Sequence, residues 1–250
     1  MLDQITPIIL TYNEEANIHR TLSALTWAHN IVVIDSFSND KTVSICNQFT
    51  NVTLIKRAFD QHSLQWNFAL AQDIKTEWVL ALDADHVLSE NLISELTTLT
   101  PHLKIQGYWV NFTYMINGTP LKQSLYPPVI SLYRRNSGHY IQDGHTQRVK
   151  IIGDINTLKS NILHDDRKPT KRWLNSQWKY AMQEAIKLKH TSWGKLSFAD
   201  KMRKLGLAPI IVVPYILLVK GLIFSRWPGI IYSWQRFIAE LYLQVARFKY

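Results

Sequence analysis

What this chain has least of narrows its class first. Its single cysteine, Cys46, excludes an intramolecular disulfide and fits a reducing compartment. No stretch reaches the roughly 18 uninterrupted apolar residues expected of a membrane-spanning helix. The first ten residues read as too short and too acidic for a signal peptide, with no basic leader. Neither GxGxxG nor GxxxxGK[ST] occurs, so neither a Rossmann dinucleotide site nor a P-loop is supported. RNP, KH, helix-turn-helix and zinc spacings are also missing, so a nucleic-acid partner is not expected.

What remains is an ordinary globular composition with an uneven charge. At 250 residues, with 46% hydrophobic and 12% aromatic content, the chain buries a full core as one large domain or a domain plus an appendage. Residues 1–149 carry 10 Lys and Arg against 13 Asp and Glu, a net −3. Residues 150–250 carry 18 against 6, a net +12. That asymmetry points the C-terminal part at an anionic surface, although a solvated basic face accounts for the charge equally well.

The first hundred residues alternate between β-rich runs and helical periodicity. Strands are expected at 5–10, 31–34, 52–55 and 78–82, with helices between them. The first helix should start at Asn13 as N-cap, with Glu14 and Glu15 in its first turn and Ile18, Leu22 and Leu25 inward. The second should turn Val43, Ile45 and Phe49 inward, the third covers 64–71, and Ser89 caps a fourth that Pro101 stops. Strands and helices at this spacing imply an α/β, doubly wound, mostly parallel sheet.

Three strands run out into polar clusters: Thr11 to Glu14, Asp35 to Asp40, and Asp83-Ala84-Asp85. Open α/β sheets bind ligands at that edge. Two carboxylates separated by one small residue present hard oxygens to a divalent cation, Mg²⁺ or Mn²⁺. Asp35 would accept from a base or ribose, and a metal at Asp85 would neutralise a diphosphate. Each cluster alone is also ordinary turn chemistry.

The segments ITPIILTYNEEANI, IVVIDSFSNDKTV and EWVLALDADHVLSENL resemble, in order and spacing, the opening of family-2 glycosyltransferases of the GT-A fold. The nearest subgroup resembles bacterial lipopolysaccharide-core glucosyltransferases. The resemblance implies that Thr11, Asn13, Glu14 and Asp35 contact the nucleoside of a nucleotide-diphosphate sugar. It places Asp83, Ala84 and Asp85 at the ribose and the metal-bound diphosphate. Gln65 and Asn67 would line the same pocket, beside Trp66, where many similar enzymes carry Arg or Lys. His164 would complete the metal shell with Asp83 and Asp85.

The middle of the chain reads as an antiparallel extension for the acceptor, with strands at 105–115 and 129–133 and an Asn117-Gly118 hairpin signal. Inverting transfer needs a carboxylate to take the proton of the acceptor hydroxyl. Similar enzymes often use a Glu directly after a His; here Thr146 follows His145, and Asp143 is the nearest candidate base. Arg167 and Lys168 are candidates to face the diphosphate.

The tail reads as a long amphipathic helix over 169–189 with Trp173, Trp178, Ala181, Ala185 and Leu188 near one side. An apolar segment follows at 207–219, broken by Pro209 and Pro214. Arg226-Trp227-Pro228-Gly229 then precedes an aromatic helix over 230–250. Lys and Arg flanking short apolar segments rich in Trp and Tyr suit an interfacial, monotopic anchor. Anionic head groups would match the charge.

The expectation is therefore a GT-A catalytic domain over 1–168, with a nucleotide-sugar half to residue 100 and an acceptor half beyond it. A helical, membrane-associating extension covers 169–250. The function expected is metal-dependent, inverting glycosyl transfer to a glycan or lipid-linked acceptor at the cytoplasmic face of the bacterial inner membrane. Alternatives are a polyprenyl-phosphate sugar synthase, a sugar nucleotidyltransferase and a non-catalytic membrane scaffold.

Overall fold

Apolar residues on both faces of the same strands decide the architecture. In β1 (Ile5–Thr11), Ile5 and Ile9 enter one core and Ile8 the other. In β2 (Ile31–Asp35), Ile31 and Val33 oppose Val32 and Ile34 in the same way. Strands buried on both faces belong in the middle of a helix-covered parallel sheet. The computed structural model has that arrangement. It describes residues 1–143 and 146–249, with the backbone alone for Asp143 and Thr146.

Among the described residues the main sheet has nine strands. β1 pairs in parallel with β2 and with β4 (Trp78–Asp83), and β2 pairs in parallel with β3 (Val52–Lys56). Beyond β4 the pairing turns antiparallel. The sheet continues through β8 (Val129–Arg134), β6 (Ile105–Ile116), β11 (Asp154–His164) and the short β5 (His86–Leu88). Thr119–Pro120, β7, returns on β6 through Asn117 and Gly118 at φ 48 and 80, the left-handed pair that a type I′ hairpin needs. β9 (Gly138–Asp143) and β10 (Thr146–Ile151) form a separate ribbon.

One face of the sheet is covered by α1 (Ile18–Ser23), α2 (Thr42–Cys46) and α4 (Glu90–Thr98), which supply Ile18, Leu22, Cys46, Leu92 and Leu96 to the core. The other is covered by α3 (His62–Leu70), whose Trp66 stacks on Tyr140 at 5.1 Å. Ser89 caps α4 as expected, its hydroxyl accepting from Leu92 N–H.

One local expectation is corrected. Asn13 is not an N-cap: its φ is 55 and α1 begins only at Ile18. Its side chain instead accepts from Asn39 N–H at 2.8 Å, bridging the loops after β1 and β2. In α2 the fully buried positions are Thr42 and Cys46, while Ile45 and, just beyond the helix, Phe49 pack half-buried against the same core, as expected.

The chain forms two compact units. One comprises residues 1–113, 126–142 and 146–167; the other comprises 114–125 and the residues from 168 onward. The second unit is helical: α5 (Thr170–His190), α6 (Phe198–Lys204), α7 (Ala208–Pro214) and α8 (Arg226–Arg247). α8 starts at Arg226, ahead of the expected 230, since Pro228 falls in its first turn, where no intrahelical N–H is required. Pro214 cannot donate to the helical ladder, and α7 widens after it into a π turn over Tyr215–Val219 that Gly221 ends at φ 65. Among the described residues no single helix is long and apolar enough to cross a membrane; Ala208–Val219 with Leu222–Arg247 qualifies only as a pair bent by 74°.

Inside this unit Arg203 is gripped by the buried carboxylate of Glu240, with bonds of 2.8–3.1 Å, and by Asp200 at 2.9 Å. Its outside carries Ile210 at 73% exposure, Leu218 at 68%, Val219 at 70% and Phe224 at 75%.

Candidate active site

Parallel register assembles the sheet edge. Thr11 is opposite Asp35 across β1 and β2, and Leu10 is opposite Asp83 across β1 and β4. Three polar strand ends, far apart in sequence, therefore finish at one level of the sheet. This is the edge where the polar clusters were expected to meet.

The loops behind that edge are tied to each other. Asn13 N–H donates to Ser38 Oγ at 2.7 Å and Glu14 N–H to Thr42 Oγ1 at 2.7 Å. The buried Asp35 carboxylate accepts from both the N–H and the hydroxyl of Ser38. A carboxylate has about four lone-pair directions, so Asp35 keeps acceptor capacity beyond Ser38. Phe37, exposed and at φ 61, sits inside this bracket; a bulky residue in the left-handed region is strained and persists only where its surroundings hold it.

Gln65 is buried and donates to Ser36 Oγ at 3.1 Å and to Arg57 C=O at 3.3 Å, while Arg57 donates to its side-chain oxygen. It joins the ends of β2 and β3. Asn67 uses both ends of its amide on the Tyr140 backbone, at 2.9 Å each, and so clamps α3 to β9.

The Asp-Ala-Asp turn after β4 is held residue by residue. Asp83 N–H donates to His86 Nδ1 at 3.1 Å. Ala84 C=O accepts from the Thr21 hydroxyl at 2.7 Å, and Asp85 C=O from Asp165 N–H at 3.1 Å. β5 follows at once and pairs antiparallel with β11, setting His164 opposite His86. That register brings His164 Nε2 to 3.4 Å from Asp85 Oδ2.

Asp85, His86 and His164 each offer a ligand atom within 4.8 Å of the others. Asp83 is half exposed at the same turn, its carboxylate 3.8 Å from His86 Nε2. A carboxylate and an imidazole on one cation, with a second carboxylate beside them, fit Mn²⁺ better than Mg²⁺, which takes oxygen. Burial works against a charged His164 ring, but the carboxylate of Asp85, helped by Asp83 and Asp166, outweighs it and moves the pKa up.

Next to this turn, Asp165 is buried and accepts from Arg20 at 2.7 Å and from Arg167 at 2.8–2.9 Å. Asn17 joins the group through Asp166 and the Arg167 N–H. The Arg167 guanidinium is thus anchored at one edge and half exposed. Sequence reasoning missed Arg20, Asn17, Thr21 and His86. Only His86 had a signal, its place directly after Asp85. The side chain of Asp143, the candidate base, lies outside the described residues.

Residues 6–154 match the family model described as glycosyl transferase family 2. An uncharacterized glycosyltransferase of Rickettsia typhi is 31% identical over 200 residues, which cover 74% of this chain and 68% of that protein. A second, from Rickettsia bellii, is 33% identical over 95 residues, 37% of this chain and 31% of that protein. The chain thus spans about a third of the latter relative. Among solved structures, a mannosyltransferase from Pyrobaculum calidifontis in complex with GDP-Man and Mn²⁺ has a similar fold. Its TM-score is 0.56 at 15% identity, over 98% of this chain and 87% of that one.

Proposed function

Because this chain belongs to glycosyl transferase family 2, we propose that it moves a sugar from a nucleotide-diphosphate donor to a glycan or lipid-linked acceptor of the cell envelope, inverting the anomeric centre. The observation that carries this reading is the register that aligns Thr11, Asp35 and Asp83 on one edge and sets His164 against Asp85.

In this reading Thr11, Asn13, Glu14, Asp35, Gln65 and Asn67 frame the nucleoside, some by contact and some by fixing the loops that contact it. Asp83 and Ala84 meet the ribose side of the diphosphate. Asp85 and His164, with Asp83, hold a divalent cation, Mn²⁺ or Mg²⁺. When bound, that cation supplies positive charge against the diphosphate of the leaving nucleotide. Arg167 adds a fixed positive group, oriented by Asp165. Asp143 takes the proton of the acceptor hydroxyl while its oxygen attacks the anomeric carbon and the bond to the diphosphate breaks.

The helical unit supplies the location. Its exposed Ile210, Leu218, Phe224, Trp227 and Trp234, flanked by Lys201, Lys204, Lys220 and Arg226, suit an anionic bilayer surface such as the cytoplasmic face of a bacterial inner membrane. That apolar surface also favours one second acceptor class, a polyprenyl phosphate, whose phosphate oxygen attacks without a general base. Asp143→Asn separates the two: it abolishes transfer to a hydroxyl and spares transfer to a phosphate.

The first test is binding of nucleoside diphosphates and their sugars to the whole protein, with and without Mn²⁺, beside Asp85→Ala. Metal-dependent binding of one nucleotide, lost in the variant, is the expected result. A folded protein that binds none of them overturns the proposal.

A further inference from the structure

His86 lies within ligand distance of Asp85 and His164, and by proximity alone it reads as a third metal ligand. Its hydrogen bond says otherwise. The ring is buried, and its Nδ1 accepts the Asp83 backbone N–H at 3.1 Å. An acceptor nitrogen carries no proton, so a neutral His86 holds its proton on Nε2. That nitrogen is the one facing the carboxylates, 3.8 Å from Asp83 Oδ2 and 3.9 Å from Asp85 Oδ1. A protonated nitrogen offers no lone pair to a cation.

We propose that His86 is a positioning residue for the Asp-Ala-Asp turn, leaving Asp85 and His164, with Asp83, to hold the metal. The inference deepens the proposed function and rests on it for the identity of the ligands. Each of the three turn residues then has a backbone tether from outside the turn or from its end: His86 for Asp83, Thr21 for Ala84 and Asp165 for Asp85. Of these, the His86 tether acts on the one residue whose side chain is half exposed and whose direction the core does not set. The ring itself is fixed by Phe112 at 4.9 Å and His164 at 5.1 Å, so the acceptor it presents does not wander. Groups that orient ligands in this way commonly change metal affinity 10–100-fold when removed.

The test compares two variants by Mn²⁺ titration in the presence of the nucleoside diphosphate that binds best. His86→Asn retains an acceptor oxygen where Nδ1 was; His86→Phe retains the ring packing and no acceptor. His86→Phe should weaken Mn²⁺ about 10–100-fold, with His86→Asn within about threefold of the parent. An Asn variant that falls as far as the Phe variant overturns the proposal. Electron spin echo spectra of bound Mn²⁺ should show one histidine nitrogen, and two would make His86 a ligand. The metal-free protein provides an independent reading: ¹⁵N NMR at pH 8 should find the His86 proton on Nε2, and a proton on Nδ1 overturns the assignment. If the parent binds neither Mn²⁺ nor nucleotide, the proposed function fails, and the NMR result still decides His86.

Discussion

The two units of this chain invert each other. In the sheet unit, Ile, Leu and Val fill both faces of the strands, and the buried carboxylates Asp35, Asp85 and Asp165 lie at one edge or in the Arg20–Asp165–Arg167 cluster. In the helical unit a carboxylate, Glu240, is buried against Arg203, while Phe224, Leu218 and Val219 face outward. The first pattern is what water selects in a domain whose function is at a polar rim. The second leaves apolar surface that water disfavours and an apolar phase would accept. Under the proposed function this contrast suits a polar donor site in the sheet unit and attachment through the helical one.

The sharpest way to break the first half of this comparison is to hollow out the sheet. Leu80→Ala removes a fully buried side chain from one face of β4 and should cost about 2–5 kcal/mol in urea unfolding. In the helical unit the same kind of deletion should do the reverse. Phe224→Ser with Trp234→Ser should leave the thermal midpoint nearly unchanged. Each removes about 1.5–3 kcal/mol of apolar transfer, so partitioning onto anionic vesicles in a sedimentation assay should fall more than tenfold. Midpoints that drop as far as for Leu80→Ala would mean those side chains serve a core.

Two smaller effects sharpen the account of the sheet unit. Glu95 accepts from the Lys159 and Ser160 N–H groups at 2.8–2.9 Å, joining α4 to β11. Burial pushes its pKa up, but those bonds outweigh burial and the net shift is downward. A depressed carboxylate contributes stability above its ordinary pKa and loses that contribution as pH falls through the folded value. The midpoint difference between the parent and Glu95→Gln should therefore be largest near neutrality and shrink below about pH 4.5. The smallest effect concerns Cys46. Burial, with the nearby Asp35 charge adding to it, pushes its thiol up to about 12. Ellman's reagent at pH 8 should find it unreactive until the protein unfolds, because the thiolate is the reacting form.

Much of this was legible before any coordinates. The strands and the Ser89 cap, the Asn117-Gly118 hairpin and the acidic run-out of β4 follow from local rules of period, capping and turn chemistry. The mistakes were also local rules, applied where long-range bonds won. Asn13 had the residue type of an N-cap, yet Ser38 and Asn39, from another loop, hold it in the left-handed region. Other long-range bonds simply had no local signal: the amides of Gln65 and Asn67, residues read as pocket-lining, are tied to Ser36, Arg57 and the Tyr140 backbone.

By itself, then, the sequence determined that buried strands end in carboxylates and that a basic, apolar tail follows. Both are properties of neighbours along the chain. Tertiary structure alone decided which ends meet. Pairing of β11 with β5 brings His164 to Asp85, and the fold of α1 onto the turn brings Thr21 to Ala84. It also chose between two nitrogens of His86, since a hydrogen bond from the Asp83 backbone settles the tautomer, and no pattern of residues along the chain encodes it.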